Sequence, residues 1–100
     1  MITFTKEAWN HYLYWQSVER KIVERINMLI KDILRDPFHG IGKPEPLKGQ
    51  LSGFWSRRIN DEHRLVYQYR DGEVIIISCR FQETDDQEWN CKRIIQGSGK

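Results

Sequence analysis

One hundred residues with 16 Lys and Arg against 14 Asp and Glu, a net charge of +2, fit a single domain and leave no length for a second independent core. With 39% hydrophobic and 30% charged residues, the chain can build a core beneath a well-solvated surface, which excludes a disordered tail and a collagen-like fibre. No apolar stretch approaches the roughly 20 residues that cross a bilayer, and no basic-then-apolar leader opens the chain, so the expectation is a soluble cytoplasmic protein without a membrane partner.

In chain order, residues 2–4 are apolar and β-branched, a short first strand. Thr5 then caps a helix in which Trp9, Tyr12, Leu13 and Gln16 recur at helical spacing. From Glu19 the residues Ile22, Val23, Ile26, Leu29, Ile30, Ile33 and Leu34 follow a period near 3.6 until Asp36-Pro37 breaks it. Two helices with almost no linker predict an αα-hairpin that lays one apolar face on a sheet. Residues 38–53 hold four glycines and two prolines and read as a crossing loop. Residues 54–59 read as a strand, Asn60-Asp61-Glu62 as a turn, and residues 64–70 as a strand with Leu65, Tyr67 and Tyr69 on one face and Arg64, Val66, Gln68 and Arg70 on the other. Asp71-Gly72 is a hairpin signal, and residues 74–81 form an apolar run that suits a central strand. Thr84-Asp85-Asp86-Gln87 resembles a capping box and predicts a short C-terminal helix. The fold class expected is α+β, in the order β-α-α-β-β-β, with two helices on one face of a mostly antiparallel four-stranded sheet and the other face open.

Charge concentrates in residues 42–70, where Lys43, Lys48, Arg57, Arg58, Arg64 and Arg70 outnumber Glu45, Asp61 and Glu62. Cations among aromatic rings suit a phosphate backbone with unstacked bases, although the same charges would also serve as a solvated surface. No phosphate-cradling glycine loop, dinucleotide fingerprint or nucleophile elbow is present, and two cysteines, Cys79 and Cys91, with three scattered histidines do not make a metal motif. No cofactor and no metal are expected. Glu45 lies between Pro44 and Pro46, whose rings restrict its direction; the segment reads either as a stiff solvent-facing turn or as a fixed carboxylate base. Arg57 and Arg58 alternate across a strand, so one of them faces away from the helices on the side Arg64 can reach. Metal-free RNA cleavage needs a base for the 2′-hydroxyl, cations for the charged phosphorus and an acid for the departing 5′-oxygen. Glu45, then Arg64 with Arg58 and Lys48, and a C-terminal donor could fill these roles.

The runs Tyr12-Leu13-Tyr14-Trp15-Gln16, Lys43-Pro44-Glu45-Pro46-Leu47-Lys48, Leu51-Ser52-Gly53-Phe54-Trp55-Ser56-Arg57-Arg58-Ile59 and His63-Arg64-Leu65-Val66-Tyr67 closely resemble the YoeB (Txe) toxins of the RelE superfamily. The resemblance covers about residues 1–81. It implies the toxin of a bacterial type II toxin-antitoxin pair, an endoribonuclease that enters the ribosomal A site, cuts mRNA there, is silenced by a YefM-type antitoxin and forms a homodimer. By the same resemblance Glu45 is the general base and Arg64 stabilises the transition state. The resemblance also implies that Lys48 and Arg58 assist in holding the phosphate, and the basic Arg57 and Lys43 are expected to bind RNA phosphate beside them.

The sequence departs from that pattern at its end. Such toxins close with His-Tyr, the histidine serving as general acid; here Gln82 and Glu83 stand there, followed by 17 further residues. This divides the chain into a toxin domain, residues 1–82, and an atypical extension, residues 83–100. Glutamine has no titratable proton, so attenuated cutting is expected, at a cost of about 10²-fold to 10⁴-fold. Three explanations stay open: a degenerate toxin, an engineered variant, or a replacement donor in Glu83 or His63. The competing functional readings are a catalytically dead ribosome- or antitoxin-binding module and a gyrase-poisoning relative. Residues 83–96 are expected to pack near the cleft and hinder access.

Overall fold

The structure is a computed structural model that describes residues 1–80. The first strand β1 (Ile2–Phe4) runs straight into helix α1 (Lys6–Val18), where the Thr5 hydroxyl oxygen accepts a hydrogen bond from the Ala8 N–H at 3.1 Å. That bond satisfies one of the amides a helix start leaves without a partner. A single extended residue, Glu19, separates α1 from α2 (Arg20–Arg35), and α2 ends where Asp36 turns extended before Pro37. The α2 stripe buries Ile22, Ile26, Leu29 and Ile33 as its period requires, each worth roughly 1.5–3 kcal/mol of transfer free energy. Leu34, read as part of that stripe, is instead exposed.

In α1 the buried positions are Ala8 and Trp15, whereas Trp9 and Leu13 stay largely exposed, which corrects the expected stripe. The small Ala8 lets the helix backbone approach the sheet, and Trp15 reaches across to donate from its indole N–H to the Cys79 carbonyl at 2.9 Å. Trp9 remains at the rim, stacked on Tyr12 and edge-on to Phe4.

Strands β3 (Phe54–Arg58), β4 (Arg64–Arg70) and β5 (Glu73–Ser78) form an antiparallel meander. The Asn60 side-chain oxygen accepts from the Glu62 and His63 amides and closes the first turn. Asp71 and Gly72, at φ 53° and 82°, make the second with the left-handed pair that a type I′ hairpin demands. β5 is an interior strand, flanked by β4 and by parallel β1, which accounts for its near-continuous apolar sequence.

The sheet has five strands rather than four, in the order β1-β5-β4-β3-β2, with β2 formed by Glu45–Pro46. The additional strand β2 lies within the segment read as loop and pairs antiparallel with β3, Glu45 opposite Ser56 and Pro46 opposite Trp55. Two residues are too short for an alternation signal, and a proline is tolerated there because β2 is an edge strand. The main core fills the space between helices and sheet. A second cluster of Leu51, Val66 and Ile77, with Leu47, Phe54 and Ile75 against it, lies on the opposite face, so that face is partly covered by the segment after β2 rather than wholly open. The predicted C-terminal helix, its packing near the cleft, and Gln82 and Glu83 all lie outside the described residues.

Candidate functional site

Directly opposed residues in an antiparallel sheet project to the same side. Glu45 opposes Ser56, Ser56 opposes Val66, and Arg58 opposes Arg64, so Glu45, Ser56, Arg58 and Arg64 share the face turned away from the helices. Across three strands the Arg64 Nη2 and Glu45 Oε1 meet at 3.0 Å. The Arg64 Nε donates to the Ser56 hydroxyl at 3.0 Å. Arg64 is thus aimed by a buried serine that the sequence reading did not single out, although strand phasing alone puts it on the same side as Arg58. The Glu45 side chain is 50% exposed and that of Arg64 12% exposed, so an edge-strand carboxylate reachable by a polymer stands against a guanidinium seated in the sheet.

The strand end carrying Arg58 is held on both sides: its amide donates to the Gly42 carbonyl at 2.7 Å, and its carbonyl accepts from Arg25 at 3.2 Å. Lys43 and Lys48 flank β2 on exposed backbone, Lys43 in the left-handed region at φ 52°. Among the described residues no ion pair joins either ammonium to the Glu45 carboxylate.

Arg57 does not belong to this face. It is fully buried on the helix side, where its Nη1 donates to Asp32 Oδ2 at 2.6 Å and its Nε to the Tyr67 hydroxyl at 3.2 Å. Its remaining N–H groups go to the carbonyls of Asp36, His39 and Ile41. A guanidinium so enclosed has no approach for a phosphate, which corrects its expected role. Arg35, the Ile41 amide and Arg57 together hold the Asp32 carboxyl well below the usual carboxylate range. Burial raises the Tyr67 phenol, opposed by the Arg57 hydrogen bond.

His63 is also on the helix side, its ring edge-on to Trp15 at 4.8 Å, and burial lowers its imidazole below the ordinary value. It is turned away from the Glu45–Arg64 pair and does not serve as the replacement acid. Burial pushes the Cys79 thiol up to about 12, so it is no nucleophile at neutral pH. Among the described residues no group of three or more His, Cys, Asp or Glu could hold a metal ion, and no helix is long and apolar enough to cross a membrane.

With this geometry in view, the description "YoeB-like toxin of bacterial type II toxin-antitoxin system" matches residues 4–82. The chain belongs to that family. It is 62% identical over 80 residues to Toxin YoeB of Synechocystis sp., covering 80% of this chain and 93% of that protein. Among solved structures it is similar to YoeB in the heterotetrameric YoeB–YefM toxin-antitoxin complex from Staphylococcus aureus, at a TM-score of 0.78 and 48% identity over 83% of this chain and 97% of that one. It also resembles the YoeB dimer from Staphylococcus aureus, at a TM-score of 0.77 and 48% identity over 82% and 95% of the two chains. The YoeB-like match thus includes Glu45, Ser56, Arg58 and Arg64, and ends at residue 82.

Proposed function

We propose that this toxin of the YoeB-like family is a metal-independent endoribonuclease that cuts mRNA in the ribosomal A site, with Glu45 as general base and Arg64 as the cation at the phosphorus. The observation that carries this reading is the 3.0 Å contact between those two side chains on the face opposite the helices. In the resting protein the pair is closed on itself. An entering phosphodiester exchanges partners with it: Arg64 turns its fork to the phosphate oxygens, and Glu45 is released to take the 2′-hydroxyl proton. The 2′-oxygen then attacks phosphorus, the bond to the 5′-oxygen breaks, and a 2′,3′-cyclic phosphate remains. Arg58, opposite Arg64 across the strands, and the exposed Lys48 and Lys43 add positive charge along the RNA path.

The leaving oxygen needs a proton, and Gln82 cannot donate a titratable one. That sequence fact favours attenuated cutting, and it sustains the second reading, a binding module that occupies the ribosome or antitoxin without cleaving. We take residues 1–82 as the toxin unit and residues 83–100 as an addition to it. The protein acts in the cytoplasm, pairs with a YefM-type antitoxin and forms a homodimer; support for the partners comes from the Staphylococcus aureus relatives, which occur as a YoeB–YefM complex and as a dimer.

Primer extension on translated mRNA tests the proposal. Cuts within the A-site codon that fall by about 10²-fold to 10⁴-fold in Glu45→Gln support the assigned base, and a fall of about 10²-fold to 10³-fold in Arg64→Ala supports the assigned cation. Ribosome binding with no cut product at high protein concentration establishes the binding module instead.

A further inference from the structure

Resting on the nuclease reading above, we propose that Arg57 is a positioning residue for Glu45, fixing the loop of residues 36–42 from inside the protein and thereby setting where the Glu45 carboxylate meets Arg64. A guanidinium has five N–H donors, and here all five are engaged. Three of the acceptors are loop carbonyls: Asp36 at 2.7 Å, His39 at 3.3 Å and Ile41 at 3.2 Å.

The other two acceptors also hold the loop. Asp32 Oδ2 accepts from the Ile41 amide at 2.9 Å, and the Tyr67 hydroxyl donates to the Pro37 carbonyl at 2.7 Å. Every bond of the buried cation therefore ends on the loop directly or through one intermediary. If Arg57 served only to fill the core, an apolar residue of similar volume would do as well or better, because burying a charge costs desolvation that pairing merely offsets.

The pinned loop leads directly to the site. The Arg58 amide holds the Gly42 carbonyl at 2.7 Å, and only Lys43 and Pro44 separate Gly42 from Glu45. With Pro44 restricting its own φ and the residue before it, this two-residue lever has little slack. A shift of the loop is passed to Glu45, and displacement of a reacting group by about 1 Å can cost about 10²-fold in rate.

The test uses the full chain and three variants. Arg57→Lys leaves fewer donors than the acceptors require, Tyr67→Phe removes only the hydroxyl that links Arg57 to Pro37, and Ile22→Val trims the core near the start of α2. NMR reads the Glu45 side-chain carboxyl carbon and the Arg64 Nε, and ribosome-programmed cleavage gives kcat and KM. Both network variants are expected to move the two signals and to lower kcat by about 10-fold to 10²-fold at little changed KM. Ile22→Val is expected to lower the melting temperature alone. Unmoved signals in folded Tyr67→Phe overturn the proposal, as does an equal kcat loss in Ile22→Val. If Arg57→Lys does not fold, Tyr67→Phe decides. If the wild-type protein cuts no mRNA, the nuclease reading fails while the NMR signals still decide whether Arg57 positions Glu45.

Discussion

At position 57 a positive charge is enclosed by oxygens, while its neighbour at 58 belongs to the opposite face. Strand alternation foretold that the two would diverge but could not say which way. That choice was fixed by acceptors distant in sequence, Asp32 and Tyr67, together with three loop carbonyls that no side-chain pattern reveals. Removing one partner of such a pair leaves the other charge buried and uncompensated. Asp32→Ala is expected to destabilise the fold by about 3–5 kcal/mol, measured by urea unfolding. A loss under about 1 kcal/mol would show that the pair is only a weak surface contact.

His63 makes a second residue-scale prediction. Burial lowers its folded-state pKa below 6.5; nearby Arg80 adds to this, and Glu62 and Glu19 oppose it. Its buried Nδ1 has no hydrogen-bond partner among the described residues. The unfolded chain therefore binds the proton first as pH falls, so this contribution to stability is complete above pH 6.5 and is lost as pH drops through the folded-state pKa. His63→Phe keeps an aromatic edge against Trp15 and removes the titration. Its melting temperature should decline less than the wild type's between about pH 7 and pH 5; parallel declines would refute the assignment.

Among the elements, those with a strong period were readable: the α2 stripe, the strand Arg64–Arg70 and the Asp71-Gly72 hairpin. β2 was not, since two residues carry no period and its existence depends on pairing with β3. In α1 the exposed Trp9 and Leu13 misled because hydrophobicity marked the wrong side; the sheet required the small Ala8 instead. The entry to β2 is tight at Gly42, whose φ is +78° and where an added Cβ would come 3.1 Å from the Arg57 Cβ and 3.2 Å from the Arg58 carbonyl oxygen. Gly42→Ala should cost about 1–3 kcal/mol through crowding, on top of its backbone strain. At Gly53, φ +96°, nothing lies within 4 Å of such a Cβ, so Gly53→Ala carries backbone strain alone and should lower the melting temperature less. Equal losses would remove crowding as the cause.

For the molecule as a whole, the layered α+β plan was legible from element order; strand alternation gave the face of Arg64, and only the family resemblance, not the loop reading of residues 38–53, joined Glu45 to it. Ser56, which orients Arg64, and the loop clamp behind Glu45 were hidden because both arise from tertiary pairing rather than local pattern. The proposed effect of Gln82 and Glu83 belongs here as well. Ending the chain after Phe81 with an added His-Tyr should raise cutting by up to about 10²-fold to 10⁴-fold if a missing acid limits the reaction. No gain in a primer-extension assay would show that the terminus is not the limiting feature.

Whether Glu45 and Arg64 act together on a 2′-hydroxyl attack is decided with an mRNA carrying one 2′-deoxynucleotide immediately 5′ to the scissile phosphate in the A-site codon. The all-ribose message is expected to be cut to a 2′,3′-cyclic phosphate end and the deoxy message to stay intact at that bond. Equal cutting of both messages would contradict it.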